Sequence, residues 1–239
     1  MEIIPAILTN NYEDLKNKIS LVRGFSSIVQ IDICDGEFVR TMTWPFYAKA
    51  SKDTPFLEGH LDKYFLSILN EREGMPFWED IDFELDLMTF DALTNFDIYS
   101  KLSPKRMIFH LEAFENVEEF REALEGFDPY LKDMIEFGIA ISPNTDIAIL
   151  DKFISLVSFV QFMGIENIGH QGEEFSPKVF ENIKKFKNKY PDFIVSVDGG
   201  VDLHIASELK KLGVDRIVSG SAIYSSDDII GKIEEFRNI

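Results

Sequence analysis

Carboxylates close several of the short apolar runs in this chain of 239 residues. The clearest case is VSVDGGV, Val195 to Val201. Side chains alternate along a strand, so Val195 and Val197 point to one side and Ser196 and Asp198 to the other. Gly199 and Gly200 then leave the backbone free to turn and to approach a ligand. A carboxylate is delivered to a strand tip beside exposed backbone N–H groups. That pairing suggests acid–base chemistry next to a bound anion.

The same alternation sorts the other runs. In IVQIDIC, Val29, Ile31 and Ile33 form an apolar face, and Gln30, Asp32 and Cys34 share the opposite one. In IDFELDLM, Asp82, Glu84, Asp86 and Met88 oppose Ile81, Phe83, Leu85 and Leu87. His110 and Glu112 oppose Phe109 and Leu111, and Gln161 and Met163 oppose Val160 and Phe162. Singly, each has a bland explanation: His110 as a hydrogen-bonded core histidine, Gln161 as a satisfied buried amide. Together, Asp32, Asp86, Glu112 and Asp198 are expected to converge. No strand-borne lysine or arginine is obviously placed to neutralise them. Such carboxylates cannot all ionise cheaply, so a cation or a shared proton is the economical solution.

These residues need strands to carry them. Apolar runs predict strands near Ile3–Leu8, Ser27–Cys34, Ile81–Met88, Arg106–Ala113, Gly138–Ile141, Ser158–Met163, Phe193–Val197 and Arg216–Ser219. Amphipathic spacing predicts helices over Tyr12–Arg23, Val117–Leu124, Pro129–Phe137, Lys178–Lys189, Leu203–Leu212 and Asp227–Phe236. Ser176 reads as a cap before Pro177, and Gly213 as a C-terminal stop. Eight strands in regular alternation with helices predict an α/β fold, a single (β/α)₈ TIM barrel over residues 1–239 with its chemistry at the C-terminal strand ends. A doubly wound open sheet is the alternative, but no GxGxxG follows the first strand. Residues 43–80 are too long for one βα connection and hold both tryptophans. They read as an insertion: aromatic helices packed on the barrel, a lid, or a subunit contact.

The formal net charge is −18, from 42 acidic and 24 basic residues, with no basic patch to recruit nucleic acid. Long-range repulsion would oppose an anionic substrate, so a phosphate must be captured by local groups. Cys34 is the only cysteine, which excludes an internal disulfide and fits a reducing compartment. The start of the sequence lacks the pattern of a signal peptide, and no apolar run is long enough for a bilayer. A cytoplasmic protein without a membrane partner is expected.

The motifs, taken in order, resemble those of ribulose-phosphate 3-epimerase. PAILTNN resembles PSILSAD, QIDICDGEFV resembles HVDVMDGHFV, and ELDLM resembles DVHLM. FHLEA, ISPNT, MGIENIGHQGEEFSP, VDGGV and SGSAIY each have a counterpart as well. The resemblance implies epimerisation beside the keto group of a phosphorylated ketose, ribulose 5-phosphate by default. Asp32 and Asp198 would be the catalytic acid and base on opposite faces of the sugar. It implies a phosphate site at Gly199, Gly200, Gly220 and Ser221, extended by Gly169 and Gly172. Leu8, Met88 and Met163 would line the sugar, with His110 and Glu112 in support.

The family's divalent metal is held by two histidines and two aspartates. Here Gln30 and Asp86 stand where the histidines would be; Ala6 and Glu37 also depart from the pattern. One reading keeps a cation on Gln30, Asp32, Asp86 and Asp198, an oxygen-rich set that suits Mg²⁺ or Mn²⁺ better than Zn²⁺. The other has no metal. Alternatives for function are an epimerase of another phosphosugar and an inactive sugar-phosphate-binding paralogue. A homo-oligomer is expected.

Overall fold

The computed structural model describes residues 1–46, 62–169 and 172–239. Eight strands pair in parallel and in chain order into a closed barrel. They are β1 (Glu2–Ile7), β2 (Ile28–Cys34), β3 (Asp82–Met88), β4 (Arg106–His110), β5 (Glu136–Ile141), β6 (Phe159–Met163), β7 (Ile194–Asp198) and β8 (Arg216–Ser219). The helices are α1 (Tyr12–Val22), α2 (Lys63–Leu69), α3 (Phe96–Ser100), α4 (Val117–Gly126) and α5 (Pro129–Met134), followed by α6 (Lys178–Lys189), α7 (Leu203–Lys211), α8 (Ser221–Tyr224) and α9 (Ile229–Arg237). The predicted barrel is therefore the observed one.

Alternation builds the interior as layers. At the N-terminal end, Arg106 bridges Glu84 and Glu2, both at 3.0 Å, while Arg216 reaches Glu136 at 2.9 Å. These strand-borne arginines pair with Glu2, Glu84 and Glu136, not with Asp32, Asp86 or Asp198. They neutralise the bottom layer, far along the strands from the tips. Phe159 packs against Arg216, whose guanidinium lies 4.7 Å from the ring centre. A Cβ at position 138 would come 2.4 Å from that ring, so any larger residue than Gly138 would displace Phe159. The outward apolar faces, Val29, Ile31 and Ile33 among them, join one continuous core with Leu15, Ile19, Phe120, Ile183 and Leu209 from the helices. That burial is the main driving force for closing the barrel.

Three local expectations are corrected. β4 ends at His110, and Leu111–Ala113 form a 3₁₀ turn rather than more strand. β5 begins at Glu136, two residues before the predicted start, which shortens α5 to six residues. Ser176 does not cap α6: Pro177 holds the cap position without a side-chain bond. Gly213 does follow its helix with φ of +79°, bonding back to Lys210.

Within the predicted 43–80 insertion, residues 47–61 lie outside the described ones, and with them the question of a lid or subunit contact. The flanks pack as aromatic helix-and-turn structure. Trp44 is buried, edge-on to Phe65 of α2 at 5.4 Å and tilted against Tyr12 at 6.1 Å.

Candidate active site at the C-terminal strand ends

The register of the sheet decides which carboxylates meet. Asp32 and Asp86 are direct partners on β2 and β3, and Met163 pairs with Asp198 on β6 and β7. Asp32, Asp86 and Asp198 are all buried, and one carboxylate oxygen from each lies within 4.8 Å of the others. Asp32 and Asp198 line a cavity of about 670 Å³; fully buried Asp86 sits behind them.

Buried amides and an imidazole hold this cluster. Gln30 donates from Nε2 to Asp32 Oδ1 at 2.9 Å and to Asp198 Oδ2 at 2.7 Å. Its Oε1 is buried without a partner among the described residues. His110 Nε2 lies 2.8 Å from Asp86 Oδ1, and Gln161 makes a long 3.5 Å contact to Asp86 Oδ2. Ser196 in turn donates to Gln161 Oε1 at 3.2 Å. The bland readings of His110 and Gln161 thus hold in part: both are bonded core residues, and what they bond is the acidic cluster.

Electrostatics follow from this crowding. Burial first, then the Asp198 and Asp86 charges, push the Asp32 carboxyl well above the ordinary carboxylate range. Burial and Asp86 raise Asp198 to about 7, against the lowering pull of the Gln30 hydrogen bond. Without a cation, burial and mutual repulsion favour a proton shared within the pair over ionisation of both carboxyls. For His110, burial disfavours the imidazolium, but Asp86, Glu112 and Asp198 together outweigh it and the net shift is upward.

Glu112 corrects the expected convergence. The 3₁₀ turn swings it out of the strand alternation, and it accepts the Ser142 N–H at 2.7 Å and the Thr145 hydroxyl. It holds the loop after β5 instead of facing the cavity.

The glycine cup is in place. Gly199 and Gly200 adopt φ of +100° and +66° and line the cavity with Gly220 and Ser221, at the start of α8. Leu8, Met88, Met163, Gly169 and Gly172 line it too; His170 and Gln171 lie outside the described residues. Gly164, directly after β6, donates to the Asp198 carbonyl at 2.6 Å, and a Cβ there would lie 2.0 Å from the Gly199 carbonyl oxygen. The backbone after β6 therefore packs directly against the turn after β7.

Sequence reasoning missed the residues that brace β2. The Thr43 hydroxyl donates to the Asp32 carbonyl at 2.6 Å and accepts the Cys34 N–H at 2.9 Å. Asp35 accepts the N–H groups of Glu37 and Phe38, both at 2.8 Å, and that of Phe90 at 3.0 Å. The Asp-Gly pair at 35–36 carries the sequence signal of such a turn; nothing local marks Thr43.

With this geometry in view, a sequence model of the "Ribulose-phosphate 3 epimerase family" matches residues 69–224. The chain belongs to that family. Curated ribulose-phosphate 3-epimerases agree at low identity over the full length. That of Schizosaccharomyces pombe is 24% identical over 99% of this chain and 92% of its own. That of Bacillus subtilis is 22% identical over 99% and 98%. Among solved structures, 3-hexulose-6-phosphate synthase superposes with a TM-score of 0.65 at 17% identity, covering 100% of this chain and 99% of its own. KGPDC from Streptococcus mutans gives 0.66 at 12% identity, over 99% and 95%. Those two likenesses concern the fold. The chain is a divergent, epimerase-like member of the ribulose-phosphate 3-epimerase family, with Gln30 and Asp86 in its acidic cluster.

Proposed function

We propose that this family member epimerises a ketose phosphate at the carbon beside the keto group, with ribulose 5-phosphate as the default substrate. The observation that carries the reading is one cavity lined by two buried, pKa-raised carboxylates on β2 and β7 beside a glycine cup. The ionised carboxylate removes the proton from the carbon, and the bonding pair moves into the enediolate. The protonated carboxylate then returns a proton to the opposite face, inverting the centre. Two carboxyls that are both raised above the ordinary range suit these two tasks, exchanging roles with direction. The backbone N–H groups of Gly199, Gly200, Gly220 and Ser221 would take the phosphate without help from lysine.

The donor set fits a hard divalent cation. Asp32, Asp86 and Asp198 offer only oxygen, which favours Mg²⁺ or Mn²⁺ over Zn²⁺, and their crowded charge is eased by a cation. When bound, such an ion would stabilise negative charge developing on the substrate's oxygens. A second reading, another phosphosugar as substrate, is favoured by Glu173, Glu174 and Asp202, which add carboxylates to the cavity wall.

Solvent-deuterium exchange into the substrate tests the activity. Pentulose and hexulose phosphates, each with Mg²⁺ and with Mn²⁺, should separate the two substrate readings by rate. Binding of a phosphosugar without exchange would instead indicate a sugar-phosphate-binding paralogue.

A further inference from the structure

The amide of Gln30 does something the acid–base reading alone does not require. It is fully buried and spends both of its N–H bonds on the two carboxylates that line the cavity. Each of those carboxylates thereby has one oxygen fixed to a buried donor: Oδ1 of Asp32 and Oδ2 of Asp198. The remaining oxygens, Asp32 Oδ2 and Asp198 Oδ1, accept no hydrogen bond from the described residues. Both residues nonetheless keep some exposure, 7% and 9%, toward the cavity.

We propose that Gln30 is a positioning residue that ties the inner oxygens of Asp32 and Asp198 together and so assigns their outer oxygens to the sugar. This rests on the reading of Asp32 and Asp198 as the acid–base pair. The amide also stands between two carboxylates that would otherwise repel, a task that a bridging cation could perform. Gln30 is then a competitor of the metal for those oxygens and not one of its ligands. To ligate through Oε1 it would have to turn its amide over and break both hydrogen bonds. Oε1 is left buried without a partner among the described residues, and both bonds of the amide are made from its Nε2 end. A donor pair directed at two carboxylates is also the stronger, charge-assisted kind of hydrogen bond.

The test compares wild type with Gln30→Met, which keeps the length and removes the donor, and with Gln30→Asn, which keeps the amide but is too short to reach both partners. Deuterium exchange from the best ketose phosphate gives kcat and KM, and titration calorimetry with Mn²⁺ gives metal affinity. Losing the tether should lower kcat by about 100-fold, the scale of an ångström misplacement, while KM stays within about threefold. Mn²⁺ should bind Gln30→Met more tightly than wild type, because the competing donor is gone. Weaker Mn²⁺ binding would make Gln30 an oxygen ligand and overturn the proposal, as would wild-type kcat in both variants. Should Gln30→Met not fold, Gln30→Asn is read by the same criteria. A wild-type protein that exchanges no ketose phosphate at all defeats the acid–base reading itself; the Mn²⁺ affinities still decide whether Gln30 competes with the metal.

Discussion

At the residue scale, two carboxylates differ from the many others in this acidic chain by burial and company. Asp198 is raised to about 7 by burial and by Asp86, and Asp32 is raised well above the ordinary carboxylate range by burial and by the Asp198 and Asp86 charges. Ordinary aspartates could not divide the labour this way at neutral pH, since both would be ionised. Asp32→Asn and Asp198→Asn each keep the shape and remove the proton-transfer group. Either should lower the exchange rate by about 10³-fold, the usual worth of general acid–base catalysis, with phosphosugar affinity by calorimetry little changed. Glu112 provides the contrast. Its carboxylate receives Ser142 and Thr145 outside the cavity, so Glu112→Gln should retain the wild-type rate. Equal losses in all three variants would undo the assignment of roles.

At the element scale, the site depends on strands that end at the right residue and on turns that approach closely. Strand alternation in the sequence correctly sorted Gln30, Asp32, Asp86, Gln161, Ser196 and Asp198 onto the inner face, because a period of two follows from strand geometry. It failed at Glu112, since nothing in FHLEA says that the strand stops at His110 and a 3₁₀ turn begins. It was also blind to long-range partners: the hydroxyl of Thr43 braces Asp32 across the chain, and Arg106 and Arg216 close the bottom layer through register that emerges only on closure. Gly164 shows how tight the tips are. In Gly164→Ala the new methyl would meet the Gly199 carbonyl oxygen at 2.0 Å, and a backbone atom cannot swing aside as a side chain can. Destabilisation of about 3 kcal/mol, the upper part of the overpacking range, is expected in denaturant unfolding. A variant as stable as wild type would show that the two turns can separate.

At the scale of the whole molecule, charge is the dominant variable. The chain carries a net −18 and buries acidic groups in two layers of one barrel. Glu84, beneath the site, is raised from 4.5 to about 7 because burial outweighs the pull of Arg106. Asp198 moves from 3.8 to about 7. For a carboxyl whose folded pKa is raised, the stabilising contribution is complete below the unfolded value and is lost as pH rises through the folded one. The metal-free protein should therefore melt at progressively lower temperature as pH rises from about 5 to about 8. Saturating Mn²⁺ should flatten that slope by favouring the ionised aspartates. A melting temperature that climbs with pH in metal-free buffer would mean that these groups are ionised throughout.

The central claim is proton exchange by two opposed aspartates, and its most direct measurement is the appearance of solvent deuterium in a ketose phosphate. Incubated in D₂O with ribulose 5-phosphate and Mn²⁺ or Mg²⁺, the wild-type protein should incorporate deuterium at the carbon beside the keto group. Asp198→Asn should lose nearly all of that exchange. Absence of incorporation into every pentulose and hexulose phosphate tried, with and without metal, would contradict the account.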